Sequence, residues 1–209
     1  MATQIINVEQ GTNQWFQVRM GIPTVSMFKS IMAKGRAKGS YGAARRTYML
    51  QLLAERISGR VTPHWTNEHT ARGHEDEPKA RYSYGFESGN KVEQVGFVMD
   101  DELGAGFSPD GLVGTDGIIE IKSKLGHLHL AVMLDDCVPK DHIHQCQGGL
   151  LVTGRKWCDF VSYSDGLPLY VKRVERDEEM IGEMRQSIMD FNTELTVLES
   201  KIRKLNSPT

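Results

Sequence analysis

Apolar positions recur at helical spacing toward both ends of the chain and at strand spacing in its middle. Residues 13 to 58 read as mostly helical, with breaks. The run TVSMFKSIMA repeats apolar residues every three or four positions, and Thr24 or Ser26 can cap it. KGRAKGS interrupts that pattern. YGAARRTYMLQLLAERISG then forms a second helix, with Gly59 just past its end. NEHTARGHEDEPKARYSYG reads as a third helix, polar and interrupted near Pro78. KVEQVGFVMDD and GIIEIKS read as strands, separated by the turn or short hairpin GAGFSPDGLVG. DHIHQCQGGLLVTG is a helix ending at Gly154, and KWCDFVSYS and LPLYVKRVE are a strand pair around DGLP.

The C-terminal region returns to helical periodicity. Ile181, Met184, Ile188, Phe191, Leu195, Leu198, Ile202 and Leu205 step by three and four throughout. They predict an amphipathic helix with a heptad-like seam, packed on its own domain; a helix that also touches a neighbouring subunit is the alternative reading. The order of elements predicts an α/β or α+β fold with a central mixed sheet flanked by helices.

Composition narrows this picture. A chain of 209 residues, with 39% apolar and 25% charged residues, fits one domain with a packed core. The net charge of −2 points to no polyanion partner, yet a basic face can bind nucleic acid under a neutral average. Cys137, Cys146 and Cys158 are an odd, irregular set, which argues against a disulfide framework and for a reducing compartment. The N-terminus lacks a signal-peptide pattern, and no apolar stretch approaches membrane-spanning length. A cytoplasmic setting is therefore expected.

Candidate chemistry centres on GFSPDGLVGTDGIIEIKSK. Alternate strand residues face the same way, so Glu120 and Lys122 share one face while Ile119 and Ile121 face the core. If this strand lies beside the turn at Asp110, the two carboxylates can meet around magnesium or manganese. The Ile121 carbonyl can add an oxygen, and Lys122 can orient or deprotonate a water. A solvated strand edge bearing an ion pair explains the same pattern. Three features favour a site: the tight SPDG turn under Asp110, Glu77 on a helix with Arg81 one turn on, and Arg19, Thr24 and Ser26 around a helix start, where hydroxyls, N–H groups and a guanidinium suit a terminal phosphate.

These residues resemble the phage lambda exonuclease and viral recombinase (YqaJ-like) alkaline exonuclease family within the PD-(D/E)xK nucleases. The matching pieces are W-x-x-x-R-x-G-x-x-T-x-S (Trp15 to Ser26), G-x-x-x-E-x-x-A-R (Gly73 to Arg81), S-P-D-G (Ser108 to Gly111), E-I-K (Glu120 to Lys122) and Q-x-Q (Gln145, Gln147). They stand in the family's order over roughly residues 8 to 175, as a nuclease core followed by a C-terminal helix over about 176–206.

The resemblance implies a restriction-endonuclease-like core and a magnesium-dependent 5′ to 3′ exonuclease acting on linear double-stranded DNA, with two metal ions per site and manganese as a substitute. It implies that Asp110 and Glu120 hold the metal with the Ile121 carbonyl, that Glu77 serves a second metal or its water shell, and that Lys122 acts on the attacking water. It further implies that Arg19, Ser26, Ser108 and Gln145 grip the 5′ phosphate, that Arg36 in the basic loop contacts the duplex, that the assembly is a ring-shaped homotrimer, and that the partner is a single-strand annealing protein. A phage or prophage origin in a bacterial cytoplasm goes with it. Two departures stand out: TPHWTNEHTAR before Gly73 does not match, and EIKSKLGHLHL lacks the family's proline after the lysine.

Other readings stay open beside it. A restriction- or repair-type endonuclease uses the same metal chemistry, and a non-catalytic DNA-end-binding module is a third reading, against which the intact acidic pair and lysine speak. That loop, with Lys34, Arg36 and Lys38, suits phosphate contact without sequence readout. His127, His129, His142, His144 and Cys146 lack the spacing of a zinc site and are expected near the DNA or on the surface. Trp15, Trp65 and Trp157 are expected in the core.

Overall fold

A computed structural model describes residues 3–37, 40–62 and 68–205. In chain order its elements are β1 (Thr3–Ile6), α1 (Asn13–Arg19), a 3-10 turn (Val25–Met27), α2 (Phe28–Ile31), α3 (Ala43–Ser58), α4 (Glu68–Ser88), β2 (Val92–Glu93), β3 (Phe97–Asp100), β4 (Ala105–Phe107), β5 (Gly111–Val113), β6 (Gly117–Ser123), α5 (Gly126–Asp135), α6 (Lys140–Thr153), β7 (Trp157–Tyr163), β8 (Tyr170–Glu175) and α7 (Glu178–Leu205).

The larger sheet has the order β2-β5-β6-β7-β8, and a smaller one has β1-β3-β4. β6 and β7 pair in parallel, and the other pairs are antiparallel. The expected mixed sheet flanked by helices is therefore present. β6 is the middle strand, and both of its faces are covered. Ile118, with Cys158 and Phe160 of β7, packs into the main core with α2, α3, α6 and α7. Ile119 and Ile121, with Val161, pack against Ala80 and Tyr84 of α4. A strand sandwiched in this way reads as a nearly continuous apolar run, as GIIEI does.

Helix α6 lies close on β6 because it carries Gly148 and Gly149. A Cβ at Gly148 would come within 2.9 Å of Phe28 and Val25, and one at Gly149 within 2.7 Å of Ile118 and 2.9 Å of Phe107. The C-terminal helix α7 buries Ile181, Met184, Ile188, Phe191 and Leu195 in the same core, while Leu205 at its end is exposed. Among the described residues, no helix is long and apolar enough to cross a membrane.

Four local expectations are corrected. TVSMFKSIMA is a 3-10 turn and one turn of α-helix, and Thr24 stands at the N-cap with no side-chain capping bond. Its hydroxyl is instead 3.3 Å from that of Ser26, while Tyr48 Oη accepts the Thr24 N–H at 3.1 Å. KVEQVGFVMDD is two strands in two different sheets, because the chain crosses between them at Gly96. A Cβ there would sit 2.0 Å from the Val8 carbonyl oxygen, so only glycine fits the crossing. Helix α4 runs through Pro78 without a break, since burial of Asp76, Ala80 and Tyr84 along one face outweighs the lost hydrogen bond. Trp15 and Trp157 are half-buried platforms for arginines, with guanidinium carbons 3.8 Å (Arg19) and 3.7 Å (Arg173) from the ring centroids. Trp65 lies outside the described residues. The pattern reading also passed over β1 and α5.

Candidate active site

Ser108, Pro109 and Asp110 form the corner where the chain leaves β4 in one sheet and enters β5 in the other. The Gln10 side chain pins this corner by donating to the carbonyls of Val95 (2.9 Å) and Pro109 (3.0 Å). β5 pairs with β6 only from Gly111, opposite Ile119. Beyond that point the next β5-facing donor of β6, the Ile121 N–H, is free, and Asp110 Oδ2 accepts it at 2.6 Å. The N–H and C=O of a strand residue point to the same side, so the Ile121 carbonyl also faces the space vacated by β5.

Glu120 is only 1% exposed. Its Oε1 lies 2.5 Å from Lys122 Nζ, and no hydrogen bond reaches its Oε2. Glu120 and Lys122 thus share a face, but that face is covered by α6 rather than solvated. Glu77, half-buried on α4, is bound by Arg81 Nη2, and Arg81 Nε donates to the Asp110 carbonyl at 2.8 Å. One guanidinium therefore fixes a helical carboxylate and the acidic corner together.

The carboxylates repel one another in a dry setting. Burial pushes Glu120 up to about 7; Lys122 opposes the rise and Asp110 adds to it. Burial also raises Asp110 against the pull of Lys122, the Ile121 N–H and Arg81. Glu77 is raised by burial and then by Asp110, with Arg81 opposing. For Lys122 burial acts downward, but Glu120 and Asp110 outweigh it and hold the ammonium pKa above its ordinary value. An unpartnered buried carboxylate oxygen, a second half-buried carboxylate and a carbonyl turned from the ladder form a hard oxygen donor set that fits a divalent cation. Among the described residues, no three His, Cys, Asp or Glu side chains converge closely enough to enclose a metal by themselves. The set is therefore open on one side, where water and substrate oxygens complete a shell.

The phosphate-pocket residues divide into two groups. Arg19, from the last turn of α1, donates from Nη1 to Ser108 Oγ at 2.9 Å, and Trp15 Nε1 donates to the same oxygen at 2.9 Å. Burial lowers the Arg19 pKa to about 10, opposed by Tyr48 and Glu55, so the group stays cationic. The turn after Arg19 is held by α3: Glu55 accepts the Gly21 N–H at 2.7 Å and Arg56 Nε donates to the Gly21 carbonyl at 2.7 Å. Gly21 has φ +70°, and a Cβ there would meet Arg56 Cγ at 2.7 Å. Ser26 and Gln145 belong to the second group. Ser26 is exposed beside Thr24, whose segment is bridged to β4 at Gly106. Gln145 is half-buried on α6, about one turn before the glycines that seat this helix on Val25 and Phe107. Neither bonds directly to Arg19 or Ser108 among the described residues.

Lys34 and Arg36 are exposed in the loop before α3, and Lys38 lies outside the described residues. His129 is fully buried, with Ser162 Oγ and the Pro168 carbonyl 2.8 and 2.9 Å from its ring nitrogens, so it is a core residue rather than a DNA-facing one. Gln147 is also structural: it donates to the Glu175 carbonyl and accepts the Asp177 N–H. The sequence reading gave no role to Arg81 or Gln10. Arg81 was signalled by its place one helical turn after Glu77; nothing local marked Gln10.

A family model for the YqaJ-like viral recombinase domain matches residues 14–156. Among solved structures, an alkaline exonuclease (LHK-Exo) from Laribacter hongkongensis matches with TM-score 0.82 and 36% identity, covering 92% of this chain and 97% of that one. The same protein in complex with dAMP matches equally well. A phage-related exonuclease from Haemophilus somnus 129PT shares the fold at TM-score 0.69 and 14% identity, over 88% of this chain and 96% of that one. No curated protein sequence gives a significant match.

Proposed function

This chain belongs to the YqaJ-like viral recombinase domain family, and from that premise we propose that it is a metal-dependent deoxyribonuclease that digests linear duplex DNA from 5′-phosphorylated ends. It leaves 3′ single-stranded tails suited to recombination by strand annealing. The observation that carries this reading is the joining of two chemistries at one corner: Ser108 is bonded to Arg19, and Asp110, two residues on, is bonded to β6 beside Glu120 and Lys122. A guanidinium and hydroxyls suit a terminal phosphate dianion, which a duplex offers only at its end. The Laribacter enzyme has been solved in complex with dAMP, which is in keeping with a nucleotide ligand.

Asp110, Glu120 and the Ile121 carbonyl would hold magnesium, or manganese in its place, and Glu77 would serve a second ion or its water shell. The metal, when bound, lowers the pKa of a ligated water and offsets charge on the phosphate. Arg19 and Ser108, with Ser26 and Gln145, hold the 5′ phosphate so that the first phosphodiester falls beside Glu120. Lys122 faces the attacking water. Its raised pKa comes from the two carboxylates; a cation held by them would offset their charge and leave burial, which acts downward, to favour a neutral amine that can accept a proton. Lys34, Arg36 and Lys38 would contact the duplex backbone ahead of the cut. A ring-shaped homotrimer, a single-strand annealing partner and a phage- or prophage-encoded role in the bacterial cytoplasm complete the proposal.

A duplex labelled at either its 5′ or 3′ ends, incubated with the protein and magnesium, tests this reading. Early release of 5′-labelled mononucleotide, slow loss of 3′ label, an intact closed circle and no cutting in chelator are expected. Equal release from both ends, or cleavage of the closed circle, overturns it in favour of an unpolarised nuclease or an endonuclease.

A further inference from the structure

Glu120, Lys122 and Lys124 stand at alternate positions on one face, roughly 6.6 Å apart along the strand direction. The Lys124 N–H continues the parallel ladder to the Tyr163 carbonyl at 2.8 Å, so this residue extends the row beyond the end of β6. Lys122 is neutralised by Glu120. Lys124 is not: its Nζ lies 3.1 Å from His142 Nε2, and among the described residues no carboxylate ion-pairs with it. Asp141, which acts on Lys124 through its charge, is engaged by Lys29 at 2.6 Å. His142 is in turn fixed by stacking on Phe160, with centroids 5.4 Å apart and planes 22° from parallel.

We propose that Lys124, positioned by His142, binds a backbone phosphate of the strand being cut. This rests on the exonuclease reading above and adds a substrate contact to it.

Helix α6 brings His142 to Lys124 by running back along β6. Gly149 seats that helix on Ile118 and Phe107, the residue before Ser108. His142, two turns earlier, meets Lys124 and Phe160 at the other end. Along β6 the order is therefore Glu120, Lys122 and then Lys124. Burial and the charge of Lys122 lower the Lys124 pKa. Burial, followed by Lys124 and Lys122, lowers His142 to about 4. The ring is thus a neutral acceptor that orients the ammonium without discharging it. Lys124, beside the first turn of a 14-residue helix, is a positive spot that an anion relieves. Lys124 also stands at the end of EIKSK, where this chain lacks the proline of the resembled family.

The test uses binding in chelator and cleavage in magnesium, on a 5′-phosphorylated duplex carrying a single uncharged methylphosphonate at each of the first four linkages in turn. Lys124→Ala should weaken binding about tenfold, a charge-assisted hydrogen bond's worth, with kcat within about threefold and the salt slope reduced by about one. Lys124→Arg should stay within about threefold of wild type. One methylphosphonate position should weaken wild-type binding about tenfold and leave Lys124→Ala unaffected. Wild-type binding by Lys124→Ala, equal weakness of the arginine variant, or the same methylphosphonate response in both proteins overturns the assignment. If wild type cuts nothing in magnesium, the exonuclease reading fails, while the binding arm still reports on Lys124.

Discussion

Arg81 bonds both to Glu77 and to the carbonyl of Asp110, so the helical carboxylate and the acidic corner move as one unit. It supports the ligand candidates from behind, as residues behind metal ligands do. Arg81→Ala should lower turnover by about 10- to 100-fold and raise the magnesium concentration for half-maximal activity. Arg81→Lys should recover little, because one ammonium cannot bond both partners in this geometry. A magnesium titration of cleavage rate checks this; an unchanged midpoint would remove Arg81 from the site.

Lys122→Ala should reduce cleavage by a factor on the order of 10²–10⁴, the usual range for a lost general base. Duplex binding should change by less than about threefold, since Lys122 is engaged internally by Glu120. Single-turnover cleavage and fluorescence anisotropy on the same duplex measure the two effects. A parallel loss of binding would make Lys122 a substrate anchor instead.

Arg19→Ala should cost most on 5′-phosphorylated ends and little on 5′-hydroxyl ends. Ser108→Ala removes the oxygen that Arg19 and Trp15 share and should show the same preference more weakly. Comparing kcat/KM for the two end types reads this directly, and an equal loss on both would show that the pair only shapes the corner.

Metal-free stability should fall as pH rises from about 4.5 toward about 7. Glu120 has a folded pKa pushed up to about 7, above its ordinary 4.5. The folded protein therefore holds this proton more tightly than the unfolded chain does. The favourable contribution is complete below the unfolded value and is lost as pH passes through the folded value. Glu120→Gln should flatten this part of the Tm–pH curve. Magnesium should raise the wild-type Tm more at pH 8 than at pH 5.5, where the proton competes with it. Thermal denaturation in chelator and in magnesium checks both slopes; an unchanged Glu120→Gln curve would assign the titration elsewhere.

The periodicity of the chain by itself determined most of its helices and strands in the right order, β1 and α5 excepted, because a buried face forces apolar residues to recur at the period of its element. The alternation in GIIEIKS put Glu120 and Lys122 on one face, and the ordered motifs from Trp15 to Gln147 marked the family. Chain crossings and second-layer contacts were not legible in the same way. Pro78 signalled a break that packing of α4 suppressed, and KVEQVGFVMDD looked like one strand because nothing local announces a change of sheet. Gln10 binds carbonyls 85 and 99 residues away, and Lys124 meets His142 only because α6 folds back along β6. The hydrophobic pattern is a one-dimensional signal of which face is buried. What fills that face, and which polar groups meet over it, is fixed by contacts between distant segments, and those the tertiary structure alone decided.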